Sequence, residues 1–397
     1  MSKLIKLFIT NGNKMKLVKI CFFNLLFLSF TTVLAQNYSA QAPYVSPESV
    51  TGGWLPPRWT SAIFPPSSTP LPLPNKELTD EDKRIAKMAD SMFERHTAAL
   101  GVLLIEKGKI IYERYRAPGT VTSPMFSWSM SKTLVGDTIG QMMCAGVIGE
   151  LDKPASTYSK DLEGTVYGEA TVKNLLTMSS GVAAADANGS HRVGQWAGLT
   201  NGWYTNLSLI KEFKDRGKTF FGNPLKSGDN FNYSNIDTTA LSNIADNNGG
   251  FVENFDKYIW SQIGAENKGY WMLGADKKVI AFGGFSATDR DWGRLAMFSI
   301  SQLKSDKTCI SNYMKEATSR QISNSKKLQG KLWHYYGYQQ WIGNYGSHAS
   351  YWWVGFAGQS VAIDPVSERI IVVSSHVDNY RGEIFNLFGA WQRIPTN

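Results

Sequence analysis

The sequence predicts an α+β fold: an antiparallel sheet built from both chain ends, flanked by helices, with a mainly helical region inserted between. Two observations fix the ends. "GVLLIEKGKIIYERYR" reads as two apolar runs joined at Lys107-Gly108-Lys109, the pattern of a hairpin. Near the C-terminus "QSVAIDPVSERIIVVSSH" gives two more strands around Asp364-Pro365. The third is the stretch between, about 126–275, where loops alternate with helical periodicity and strand patterns are lacking.

The first 35 residues carry five lysines and no acid, and "MKLVKICFFNLLFLSFTTVLAQ" runs from a basic start through an apolar segment to small residues. This predicts a signal peptide over 1–35, cut after Ala35, with Met15 as a credible alternative start. The apolar run is short for a membrane span, so the expectation is export to the periplasm or medium without a stable span afterwards. The net charge of +8 falls to +3 once those five lysines are set aside, and no basic stripe remains, which argues against nucleic-acid binding.

Residues 36–77 are dense in proline and serine and predict an extended arm, with tryptophans and a phenylalanine suited to lying against the domain. The folded domain is expected over 78–397. "TDED" opens its first helix: Thr79 can cap it, and Ile85, Met88, Met92 and Phe93 recur at helical spacing. The run from Phe126, "TVKNLLTMSSGV" and "DTTALSNIADNNGGFVENFDKYIW" supply the middle helices, and "GEIFNLFGAWQRI" the last. Of the two cysteines after residue 35, Cys144 lies on an apolar helix, where a buried free thiol is favoured over a bond to Cys309.

No metal-ligand spacing, C-x-x-C or internal repeat occurs, and no cofactor is expected. Chemistry is concentrated in "FSWSMSKTLVG". Ser-x-x-Lys occurs four times, at Ser129/Lys132, Ser208/Lys211, Ser301/Lys304 and Ser323/Lys326, but only the first lies in an apolar helical run. Spacing of three puts Ser129 and Lys132 on one helix face. A lysine there loses hydration and is pushed towards its neutral form, which suits it to take a serine's proton. In "FNYSNID", Tyr233 beside an ammonium could relay a proton, and Asn235 could hold the lysine or a substrate carbonyl; a core tyrosine and a capping asparagine are the ordinary alternatives. In "YWWVGFAGQSVAID", Gly355 and Gly358 open an apolar strand where backbone N–H groups could hold an oxyanion, or where glycines could simply shape a bulge.

Taken in order, these motifs, with "GELDKP", "AFGGFSATDRDWGR" and the terminal hairpin, resemble the serine β-lactamase and penicillin-recognising superfamily. Within it the chain looks most similar to the class C-related esterases and the 6-aminohexanoate-dimer hydrolases. The resemblance implies a β-lactamase-like fold and an acyl-enzyme on Ser129, with Lys132 as base and Tyr233 as proton donor to the leaving group. It also implies an oxyanion hole from the amides of Ser129 and Phe356 (or Ala357), beside Gly355 and Asn235. Where relatives carry Lys-Thr-Gly this chain has Trp353-Val354-Gly355, which shifts the expectation from β-lactams towards a neutral amide or ester. A β-lactamase or D-alanyl-D-alanine peptidase, and a catalytically silent binding relative, are the competing readings. His348 and His376 are expected as ordinary histidines, Asp291 and Arg294 as a structural ion pair. Trp333, Tyr335, Tyr336, Tyr338, Trp341, Trp352 and Trp353 are expected as core or cleft wall. Oligomeric state is not encoded in any motif found.

Overall fold

In the computed structural model, residues 60–183, 189–219, 221–324, 332–343, 349–375 and 381–395 are described. Their strands form two antiparallel sheets. The larger has the order β3 (Lys109–Tyr115), β2 (Ala99–Glu106), β12 (Arg369–Ser375), β11 (Ser360–Asp364), β10 (Ser350–Val354), β9 (Trp341–Gly343), β8 (Tyr335–Tyr336) and β7 (Ile322–Ser323). The N-terminal hairpin therefore pairs directly with the last strand, as expected of a sheet built from both ends. The β2–β3 turn is tighter than expected: Lys107 and Gly108, both at positive φ, form it alone, and Lys109 already pairs with Glu106.

The "GVLLI" and "RIIVV" runs are continuously apolar because both sheet faces are covered. Val102, Leu104, Ile371 and Val373 face one side, where α1 (Asp80–Arg95) and the C-terminal helix lie. Leu103, Ile105, Ile370 and Val372 face the helical side. Thr79 and Asp82 close a reciprocal capping box on α1, whose Ile85, Ala89, Met92 and Phe93 are buried. Each fully buried aliphatic or aromatic side chain contributes roughly 1.5–3 kcal/mol, which is why alternate strand positions hold the layers together.

The inserted region supplies α2 (Ser131–Cys144), α3 (Val166–Glu169), α4 (Val172–Leu176), α5 (Gly189–Thr200), α6 (Asn206–Glu212), α7 (Asn235–Asn247) and α8 (Phe251–Tyr258). Then follow α9 (Asp289–Lys304), α10 (Cys309–Ala317) and α11 (Arg381–Gln392). A smaller sheet, unanticipated from sequence, has the order β1 (Ser61–Phe64), β5 (Gly269–Met272), β6 (Phe285–Ala287) and β4 (Met125–Phe126). Its first strand comes from the proline-rich stretch: Phe64 is buried edge-on to Phe255, with ring centroids 5.0 Å apart. Beyond it, Trp260 donates to the Pro65 carbonyl at 2.7 Å, and Leu71 donates to that of Gly264 at 2.9 Å.

Cys144 and Cys309 form a disulfide, with Cα atoms 5.6 Å apart, which corrects the expectation of a free thiol. An apolar helix position says nothing of distance; here α2 ends where α10 begins. The Asp291–Arg294 pair is present at 2.8 Å and fully buried, with Asp291 also accepting from the backbone of Glu266 and Asn267. Arg294 donates onward to the Leu71 carbonyl, so the pair fastens the stretch before α1 to the domain.

Asp289, the first residue of α9, is wholly buried. Ser374 donates to one of its oxygens, and the other has no partner. Gly101 makes the room, since a Cβ there would stand 2.0 Å from that second oxygen. Burial pushes the Asp289 carboxyl up to about 7, against the opposing hydrogen bond from Ser374. Folding thus tightens its hold on a proton. The unfolded chain ionises near 3.8, the folded one near 7, so stability from this group is present at low pH and lost as pH rises between those values. The full difference is on the order of 4 kcal/mol. Asp289→Asn should therefore gain stability relative to wild type as pH rises from about 4 to about 8, read from denaturant midpoints. A pH-independent difference would contradict the assignment.

Candidate active site

Ser129 stands not within α2 but in the 3-10 turn Trp128–Met130 immediately before it. The turn is anchored from behind, where β4 pairs with β6 and the Ser127 N–H donates to the Phe285 carbonyl at 2.9 Å. Trp128 has φ +49°, a left-handed conformation that costs a bulky residue about 1–2 kcal/mol. Its carbonyl accepts from the hydroxyls of Ser127 (3.1 Å) and Ser131 (2.7 Å), which also bond each other at 3.1 Å. The three serines of "SWSMS" thus divide their work. The outer two fasten the strained turn, and the middle one is left partly exposed.

Lys132 lies beneath, 1% exposed in the first turn of α2. Its Nζ donates to Asn235 Oδ1 at 2.9 Å and to the Phe282 carbonyl at 2.7 Å. It also sits 5.3 Å from the centre of the Tyr233 ring and 5.1 Å from that of Phe282. Asn235 is not the helix cap. Ser234 caps α7, accepting from the N–H groups of Ile236 and Asp237, and this frees the Asn235 amide to face the lysine. On its other side Asn235 donates to Gln195 Oε1 at 3.0 Å, so a Lys132–Asn235–Gln195 chain crosses from α2 through α7 to α5. Tyr233, just before the cap, is half-buried against Phe231, Tyr336 and Trp341.

The third segment arrives from the large sheet. A Cβ on Gly355 would stand 2.1 Å from the Ser127 carbonyl oxygen, so only glycine lets the end of β10 pass against the Trp128–Met130 turn. The chain then turns through Phe356–Gly358, with Ala357 at φ +58°. The Phe356 ring is 58% exposed and meets the Trp128 ring edge-on at 5.5 Å. Arg381, opening α11, donates to the Gly355 carbonyl at 2.5 Å. Trp353, first of the Trp353-Val354-Gly355 stretch, is fully buried and donates to Gln340 Oε1.

The structure thus brings together Ser129, Lys132, Tyr233, Asn235, Gly355, Phe356 and Ala357. Three residues with no role expected from the sequence join them. Gln195 stands in an unremarkable "VGQWAG", the Phe282 carbonyl acts through backbone alone, and Trp128 is betrayed only by its dihedral. Of the other Ser-x-x-Lys copies, Ser301 bonds the Phe298 carbonyl and Lys304 pairs with Glu368, both ordinary helix-surface roles. Ser208 belongs to the cap of α6. Lys326, His348 and His376 lie outside the described residues. Among the described residues no group of three His, Cys, Asp or Glu is disposed to hold a metal, and no helix is long and apolar enough to cross a membrane. Trp333, Tyr336, Tyr338, Trp341 and Trp352 are core, and Tyr335 is partly buried.

The Beta-lactamase family profile matches residues 84–384. With that match and this fold, the chain belongs to the β-lactamase family, whose fold is that of serine hydrolases. Similar solved structures include a candidate 6-aminohexanoate-dimer hydrolase from Bacillus anthracis, 21% identical, covering 89% of this chain and 94% of that one with a TM-score of 0.64. EstCE1, a hydrolase with promiscuous acyltransferase activity, is 14% identical over 79% of this chain and 100% of its own, with a TM-score of 0.63. The D-alanine carboxypeptidase AmpC from Burkholderia cenocepacia is 14% identical over 79% and 99%, with a TM-score of 0.58. Comparison with curated protein sequences gives no significant match.

Proposed function

We propose that the protein is an exported serine hydrolase that cleaves a small-molecule amide or ester through an acyl-enzyme on Ser129. The observation that carries the reading is Lys132: a buried amine held by Asn235 and the Phe282 carbonyl, one helical turn beneath a partly exposed serine. A lysine kept only for stability is seldom buried this way.

In this mechanism Lys132 takes the hydroxyl proton as Ser129 Oγ attacks the substrate carbonyl. The oxyanion is held by the amide N–H groups of Ser129 and Phe356 or Ala357, which the Gly355 close approach supports. Collapse breaks the bond to the leaving group, which takes its proton from Tyr233, resupplied from Lys132. Water, deprotonated by the same pair, then attacks the acyl carbonyl and returns Ser129. Asn235 and Gln195 act as positioning residues for the lysine. The buried Trp353 in place of a cation favours a neutral amide or ester over a β-lactam carboxylate. Export, with residues 1–35 as a cleaved signal, is supported by the Cys144–Cys309 bond, since disulfides persist in oxidising compartments.

Rapid mixing with p-nitrophenyl esters tests this. The expected result is a burst of leaving group stoichiometric with enzyme, followed by slower turnover, with both lost in Ser129→Ala by about 10⁴-fold or more. Full activity in Ser129→Ala would move the chemistry elsewhere.

A further inference from the structure

We propose that Trp128 and Phe356 form the acyl-binding wall of this site and select esters and amides of hydrophobic carboxylic acids, aryl or medium-chain. The inference rests on the acyl-enzyme reading of Ser129 and adds the substrate class.

Two turns converge on one spot, and each contains a left-handed non-glycine residue, Trp128 at φ +49° and Ala357 at φ +58°. Strained backbone persists where the surroundings over-determine it, and it clusters at ligand sites. Around Trp128 they do so: two serine hydroxyls hold its carbonyl, and its indole is backed by Phe126 at 5.0 Å and Trp196 at 5.2 Å. The indole then meets Phe356 edge-on at 5.5 Å. Phe356 is 58% exposed; of the described phenylalanines Phe221 is also exposed, at 85%, but it is Phe356 that meets the residue preceding Ser129. Together the touching Trp128 and Phe356 rings offer a bound ligand an apolar aromatic surface beside Ser129.

Chain position says which part of the ligand this is. Trp128 directly precedes Ser129, and Phe356 supplies the candidate oxyanion amide, so the rings flank the carbonyl end of a bound substrate. The leaving group points to Tyr233, which has its own wall of Phe231, Tyr336 and Trp341. The joined surface of Trp128 and Phe356, whose rings touch, is then left to the acyl substituent. Both surfaces there are aromatic carbon. Among the described residues, Lys132 is engaged with Asn235 and Arg381 with the Gly355 carbonyl. A neutral, apolar acyl group fits this aromatic surface.

Two ester series separate the alternatives. The first keeps p-nitrophenol as leaving group and varies the acid: acetate, butyrate, octanoate, phenylacetate. The second keeps acetate and varies the alcohol. For wild type, kcat/KM should rise along the first series. In Phe356→Ala the preference for phenylacetate over acetate should fall about tenfold, mainly through KM, while the alcohol series keeps its order. Phe356→Trp should restore the preference. Because the ring is exposed, the alanine variant should keep its thermal midpoint, which is measured alongside. An acyl preference unchanged in Phe356→Ala, or a change confined to the alcohol series, overturns the assignment and leaves the Ser129 reading intact. Wild type that hydrolyses none of these esters and takes no acyl group on Ser129 overturns both.

Discussion

Lys132→Met is expected to lower kcat/KM for a good ester by about 10⁴-fold while the chain still folds. Methionine matches the lysine stem in length and removes the charged head from a site that is 1% exposed, so the desolvation cost of the ammonium disappears. Against that, Asn235 Oδ1 and the Phe282 carbonyl lose their donor, at roughly 1–3 kcal/mol for a buried acceptor left unpaired. The two effects oppose each other, so stability should move far less than activity. The split between them is the useful readout. A purely structural lysine would give the reverse, a lower midpoint for denaturation with kcat/KM within tenfold of wild type.

Gly355→Ala is the second large effect, expected to cut kcat by about 10²–10³-fold. The added Cβ would fall 2.1 Å from the Ser127 carbonyl oxygen, a backbone atom that cannot swing aside as a side-chain tip could. Either β10 or the Trp128–Met130 turn must retreat by about an ångström. That separates the Phe356 amide from Ser129 and loosens a turn already under strain. Overpacking of this kind costs about 1–3 kcal/mol of stability, measurable by chemical denaturation, which leaves the protein folded at moderate temperature. Wild-type kcat in this variant would show that the two segments do not act as a unit.

Much of this arrangement is legible in the sequence where local chemistry and tertiary context agree. Lys107-Gly108 flanked by continuous apolar runs can be little but a hairpin covered on both faces, and "TDED" with Ile85, Met92 and Phe93 carries its own cap and stripe. Ser129 and Lys132 stand out because a lysine is costly in an apolar run. What escapes notice depends on distance. "SAIF" is only four residues long, just before a proline pair, and it becomes a strand because Gly269–Met272 offers an edge. Cys144 and Cys309 stand 165 positions apart, and nothing local says that α2 ends where α10 begins. At "YSNID" a serine and an asparagine compete for the cap; Ser234 takes it, and that choice releases Asn235 to the lysine. Gln195 and the Phe282 carbonyl enter through Lys132 and Asn235, partners close only after folding.

The central claim is that Ser129 becomes acylated. Incubating the protein with a fluorophosphonate, and separately with a slowly released ester, followed by intact mass and peptide mapping, tests it most directly. The account predicts a single adduct on the peptide holding Ser129, absent in Ser129→Ala and much slowed in Lys132→Met. A protein that turns over esters while the adduct forms on another residue, or that forms none with either reagent, would contradict it.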